Sequence, residues 1–139
     1  MGFKLIIAGG RDFMDKTLLK ESISEYIKEN ALELADLTVV SGHNVTSKYD
    51  KELHTYLYYG ADRLGEDFAV ENNLQINLYP ADWKRHGKAA GPIRNRQMAA
   101  TADGLLAFWD GQSRGTKSMI EFAKQKGLVV KVVMYNPVN

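Results

Sequence analysis

Apolar residues gather in five short runs, at 3–8, 37–41, 75–79, 104–109 and 128–134. Between the runs they are spaced rather than contiguous. Several runs are nearly free of polar interruption, as expected for parallel strands covered on both faces. The intervening stretches read as helices. Asp15 is an N-cap, and after it Leu18, Leu19, Ser22, Ile23, Tyr26 and Ile27 form one stripe at helical spacing. Asp62 can cap a second helix that buries Leu64, Phe68 and Ala69. A third starts at Gly91-Pro92, where the missing proline N–H costs nothing. The fourth begins near Gly115-Thr116, buries Met119, Ile120 and Ala123, and stops at Lys126-Gly127.

Strands alternating with helices predict an α/β fold: a doubly wound, mostly parallel five-stranded Rossmann-like sheet with helices on both faces, formed as one domain over 1–139. Ligands of such sheets bind beyond the carboxyl ends of the strands. Residues 9–12, the turn after Ser41 and the loop after Trp109 fall on that rim. The stretch 43–59 breaks the rhythm, being too long for an ordinary strand-to-helix turn. Tyr49, Leu53, Tyr56 and Leu57 follow an i, i+4, i+7, i+8 pattern, which predicts a short amphipathic helix over about 48–58. Such an insert could cover a pocket or meet another subunit.

Composition narrows the function classes. A hydrophobic share of 45% and a charged share of 25% are ordinary for a globular domain. A net charge of +1 argues against broad adhesion to nucleic acid, including single-stranded DNA. The absence of cysteine excludes disulfides, thiolate catalysis and cysteine zinc sites, and suits a cytoplasmic setting. Residues 3–8 are too short for a signal peptide, and no run approaches a membrane span. No His, Asp or Glu grouping has metal spacing, so neither a metal nor another cofactor is expected.

Three glycine-containing segments carry the candidate chemistry. Gly9-Gly10-Arg11-Asp12 follows the first run directly. It is either a tight turn with an exposed ion pair or, as favoured here, a close backbone approach with Arg11 gripping phosphate or carboxylate. Neither the dinucleotide fingerprint nor the P-loop is present. Ser113-Arg114-Gly115-Thr116 precedes a helix and offers N–H groups and a hydroxyl to an anion, beyond what a plain cap needs. In the helix from Pro92, Arg94 and Arg96 point to different sides, and Arg94 is assigned to the pocket with Asn95 beside it. Gly42 and Gly60 flank the insert at the same rim. Asp62 either caps its helix or bonds a ribose hydroxyl or amine. Trp83 reads more readily as a packing anchor than as a base-stacking platform. His86, His43 and His54 are isolated and read as structural.

Gly9-Gly10-Arg11-Asp12-Phe13, Gly60-Ala61-Asp62-Arg63-Leu64, Ala81-Asp82-Trp83 with His86-Gly87, the block 90–98, and Arg114-Gly115-Thr116 occur in an order that resembles the SLOG superfamily, in its YspA/YpsA-related branch. The resemblance implies a pocket for a nucleotide-derived small molecule and self-association into a homo-oligomer. The related LOG phosphoribohydrolases pair R-K-x-x-M with P-G-G-x-G-T-x-x-E. Here Arg94 and Met98 match, but Asn95 replaces the lysine, and Met119 stands where the catalytic glutamate would be. Glu121, two residues on, projects to another side. The favoured expectation is therefore a sensor or sequestering protein. The alternative is an N-glycosidic hydrolase acting on a nucleoside monophosphate or an NAD- or ADP-ribose-like molecule, with Arg94 in its site and Asp12, Asp62 or Glu121 serving in place of the missing glutamate. The branch also has a compact G-x-x-R-G-A-D turn before the alanine–aspartate pair; here Tyr59 and the insert precede Gly60.

Overall fold

A computed structural model describes residues 2–137. Five strands, β1 (Phe3–Gly9), β2 (Leu37–Ser41), β5 (Gln75–Leu78), β6 (Gly104–Trp109) and β7 (Val129–Met134), form one sheet in the order β5-β2-β1-β6-β7. Every pairing in it is parallel, with Leu5 opposite Val39 on one side and Gly104 on the other. The helices α1 (Lys16–Glu29), α2 (Ala61–Glu71), α4 (Ala90–Thr101) and α5 (Arg114–Gln125) connect the strands. A four-residue helix, α3 (Trp83–His86), precedes α4.

The continuous apolar runs have a direct packing cause. Side chains alternate across a strand, so Leu5 and Ile7 face one way while Ile6 and Ala8 face the other. Leu5, Ile7, Val39, Leu106 and Phe108 pack beneath Leu19, Ile23 and Tyr26 of α1 and Leu64 and Phe68 of α2. Ile6, Val40, Leu105 and Ala107 pack beneath Met98 of α4 and Met119, Ile120 and Ala123 of α5. Each large apolar side chain so removed from water contributes roughly 1.5–3 kcal/mol before entropy is charged against it. The fold is therefore α/β and doubly wound.

After β1 the chain builds the sheet toward β2 and β5, then returns past β1 to β6 and β7. The order reverses between β1 and β6, which opens a crevice at their carboxyl ends.

The insert corrects the helical expectation. It is an antiparallel hairpin of β3 (Thr46–Asp50) and β4 (Thr55–Tyr59), with Tyr49 opposite Tyr56. Two local preferences outweigh the helical spacing. Thr55-Tyr56-Leu57-Tyr58-Tyr59 is a run of β-branched and aromatic residues. Asp50 Oδ1 accepts the Glu52 and Leu53 N–H groups, closing a side-chain turn that joins the two strands.

Helix starts also differ in detail. Asp15 does cap α1, accepting the Leu18 N–H at 2.9 Å. Asp62 does not cap α2: the N-cap is Gly60, whose φ of +102° suits glycine alone, and Asp62 lies in the first turn. The helix expected from Gly91-Pro92 is α4, which begins at Ala90, so Pro92 occupies its first turn. No helix among the described residues is long and apolar enough to cross a membrane.

Candidate functional site

A cleft of about 680 Å³ opens at the β1–β6 crevice, a volume suited to a small molecule. Gly9, Gly10, Arg11 and Asp12 wall it from the turn after β1. Asp110, Ser113, Arg114, Gly115 and Thr116 wall it from the loop and helix start after β6. Arg94 and Asn95 of α4, with Asp62 and Asn44, supply a third side, while Trp83 and Pro92 add apolar surface. Ten of the residues singled out from sequence thus line one space. Gly42, Gly60 and Glu121 do not.

Glu121 is exposed on α5, away from the cleft, and Met119 is buried against it. Gly42 acts from behind: any side chain there would collide with the Arg94 guanidinium. Gly60 turns the chain from the hairpin into α2, beside the Arg11 backbone.

The start of α5 is built to leave donors free. Asp110 Oδ1 accepts the N–H groups of Gln112 and Ser113, at 2.9 and 2.8 Å, and so holds the loop in shape. Ser113 is the N-cap residue but its side chain makes no capping bond. The first intrahelical bond runs from the Lys117 N–H to the Ser113 carbonyl, which also accepts the Trp109 indole N–H at 3.1 Å. The N–H groups of Arg114, Gly115 and Thr116 therefore lie ahead of the helical ladder, with the positive dipole end. A Cβ built on Gly115 meets nothing within 4 Å, so the approach to those donors is open.

Charge at the cleft is unequal in availability, not in number. Among the described residues, the side chains of Arg11 and Arg114 make no hydrogen bond or ion pair, although both line the cleft. The carboxylates are engaged. Asp110 holds its loop, and these two N–H bonds keep its carboxyl below the usual range. Asp12 accepts the Tyr135 hydroxyl; burial and this bond to Asp12 push the tyrosine pKa up. Asp62 is 7% exposed and accepts the Asn44 N–H at 2.9 Å. Burial pushes its pKa up to about 6, against the lowering pull of the Asn44 N–H and the Arg94 charge.

Arg94 is also 7% exposed, and its position is a structural device. Its Nη1 donates to the carbonyls of Gly42 at 2.5 Å and Tyr79 at 3.4 Å, and Nε donates to Asn95 Oδ1 at 2.9 Å. Burial lowers its pKa, and the nearby Asp62 charge opposes that. No buried side-chain nitrogen or oxygen among the described residues lacks a partner. Arg94 Nη2 and Asp62 Oδ1 have no protein partner there, so solvent in the cleft must reach both. Asn95 Nδ2 extends the chain to the Gly115 carbonyl at 3.4 Å, linking α4 to the start of α5.

A second cluster stiffens the wall. Ser41 Oγ donates to Glu66 Oε2 at 2.7 Å, and His43 Nδ1 lies 3.0 Å from both Glu66 carboxylate oxygens. With Arg94 holding Gly42 and Asp62 holding Asn44, the loop 41–44 is fastened at every residue. Glu66, Asn44 and Asp110 had no distinctive signal in the sequence. Asp110-Gly111 reads only as a turn, and Glu66 meets its partners across 23 and 25 residues of chain. Among the described residues no group of three His, Cys, Asp or Glu side chains could hold a metal ion.

No family model matches the chain, and no solved structure matches it significantly. Over 129 residues it is 30% identical to the Gene 61 protein of Mycobacterium phage D29, an alignment covering 91% of this chain and 93% of that protein. At that identity and coverage, the chain belongs to the family of this phage protein.

Proposed function

We propose that the cleft binds a phosphorylated small molecule, a nucleotide or nucleotide derivative, and that the protein acts as a sensor or sequestering protein for it. One observation carries the reading. Two guanidinium groups that make no hydrogen bond or ion pair among the described residues, Arg11 and Arg114, share a single cleft with the uncapped start of α5, while the carboxylates beside them are already engaged. A phosphate there would receive backbone N–H bonds from the helix start and charge-assisted bonds from the arginines. Asp62 Oδ1 and Arg94 Nη2 would meet the sugar or base. The resemblance of 9–13, 60–64, 90–98 and 114–116 to the SLOG pattern supports the same ligand class.

Thermal melts and titration calorimetry against nucleoside monophosphates, NAD and ADP-ribose test the proposal. At least one should raise the melting temperature and bind with a defined stoichiometry, and Arg11→Ala with Arg114→Ala should remove both effects. If the whole panel leaves the melt unmoved, the reading is wrong.

A hydrolytic reading has one observation in its favour. Asp62 is a carboxyl in the cleft whose pKa, raised to about 6, suits general acid–base work near neutrality. The other acids of the cleft are engaged, Asp12 by the Tyr135 hydroxyl and Asp110 by the Gln112 and Ser113 N–H groups; Met119 stands where the LOG motif has its glutamate, and Glu121 lies outside the cleft. Free base released from a nucleoside monophosphate, and lost in Asp62→Asn, would replace the binding reading with this one.

A further inference from the structure

Building on the phosphate reading above, we propose that Trp83 forms a second anchor in the same cleft, a platform on which the planar base of a nucleotide stacks. The cleft would thereby select an intact nucleotide over its sugar phosphate.

Trp83 opens α3, whose N-cap Asp82 accepts the Arg85 N–H at 3.1 Å and so fixes the short helix at the rim. An indole serving only as a packing anchor would be largely covered. This one lines the cleft with 47% of its surface exposed. Its outer ring edge abuts α4, because a Cβ built on Gly91 would sit 3.4 Å from the Trp83 Cη2 atom. The ring is thus seated on one side rather than swinging freely. Among the described residues, its indole N–H has no acceptor and its π faces have no aromatic or cationic partner. The contrast is Trp109, whose N–H is taken by the Ser113 carbonyl. Pro92 and Met98 add apolar lining to the same cleft.

The chemistry that fits an unpartnered indole face at the edge of a polar cleft is a flat, polarisable heterocycle. Stacking is tolerant of which base is offered, so the platform would distinguish nucleotide from ribose phosphate more sharply than one purine from another. The phosphate would lie toward Arg114 and the base toward α3.

Calorimetric titration with adenosine monophosphate and with ribose 5-phosphate separates the two layers. The wild-type protein should bind the nucleotide roughly tenfold more tightly or better. Trp83→Ala should bring the nucleotide down to the ribose phosphate affinity and leave the latter unchanged, while Trp83→Phe should keep most of the preference. Should Trp83→Ala fail to fold, tryptophan fluorescence of the wild type takes its place: the nucleotide should quench it and ribose 5-phosphate should not. Equal affinities in the wild type, or a preference that survives Trp83→Ala, would overturn the platform and leave the phosphate reading intact. No binding of either compound would overturn the platform, and the phosphate reading with it when the rest of the panel is also without effect.

Discussion

Arg94 illustrates how one side chain can be both scaffold and contact. Its Nε and Nη1 hold Asn95 and the backbone of Gly42 and Tyr79, leaving Nη2 for the cleft. Arg94→Ala should therefore lower stability by about 2–4 kcal/mol, through unsatisfied buried carbonyls and lost packing, as well as weakening ligand binding. Arg94→Lys should recover little, since an ammonium cannot reproduce the guanidinium fork. Denaturant melts of the two variants check this, and wild-type stability in Arg94→Ala would contradict it. The sequence suggested the residue but not this double role, because the acceptors lie 52 and 15 residues away and carry no local mark. Asp62 gives a signed pH effect. Its carboxyl titrates at about 6 in the folded protein against 3.8 ordinarily, so the folded state holds the proton more tightly than the unfolded chain. The stabilisation this provides is complete below about pH 4 and is lost as pH rises through about 6. Asp62→Asn should remove that dependence, a difference of up to about 3 kcal/mol between the two proteins across the window. Parallel urea titrations from pH 4 to 8 would reveal it; identical profiles would mean that Asp62 is solvated.

Among the elements, α5 and the hairpin make opposite points. At the start of α5, Gly115 faces open space, so Gly115→Asp introduces no clash. A carboxylate there favours the helix dipole by about 0.3–1 kcal/mol but repels a bound anion. The variant should melt at or above the wild-type temperature and bind its ligand at least tenfold more weakly. Loss of stability together with binding would instead mean that the site's glycine is needed for folding. The hairpin β3–β4 has only two strands, and Tyr49, Tyr56 and Tyr58 are exposed on it. Two-stranded hairpins are marginal in water, so amides in 46–59 should exchange with solvent orders of magnitude faster than those of Leu5, Ile6 and Ile7. Hydrogen-exchange mass spectrometry resolves this directly. Sequence reading failed on this element for a physical reason. Tyr49, Tyr56 and Leu57 satisfy a helical spacing by coincidence, while the decisive features are the Asp50 side-chain turn and the strand preference of 55–59. The five sheet strands were legible because burial on both faces requires unbroken apolar runs, and no local turn competed with them.

For the molecule as a whole, strand order decides where function can reside. A parallel sheet whose strand order reverses between β1 and β6 leaves a crevice at its carboxyl rim, and the glycine-containing turns after both strands open into it. Overall charge is close to balance at +1; the asymmetry is local, arising from which charges already have partners. Sequence alone revealed the basic residues and not that Asp12 would be taken by Tyr135, 123 residues away. A ligand at one hundred times its dissociation constant should add about 2.7 kcal/mol to stability, raising the melting temperature by roughly 10 °C for a domain of this size. The most direct test is a backbone amide NMR titration of the labelled protein with adenosine monophosphate. The account predicts that the largest shifts fall on Arg114, Gly115 and Thr116, with Gly10 and Arg11 next, at saturable concentration. Shifts confined to other surfaces, or none at millimolar nucleotide, would contradict it.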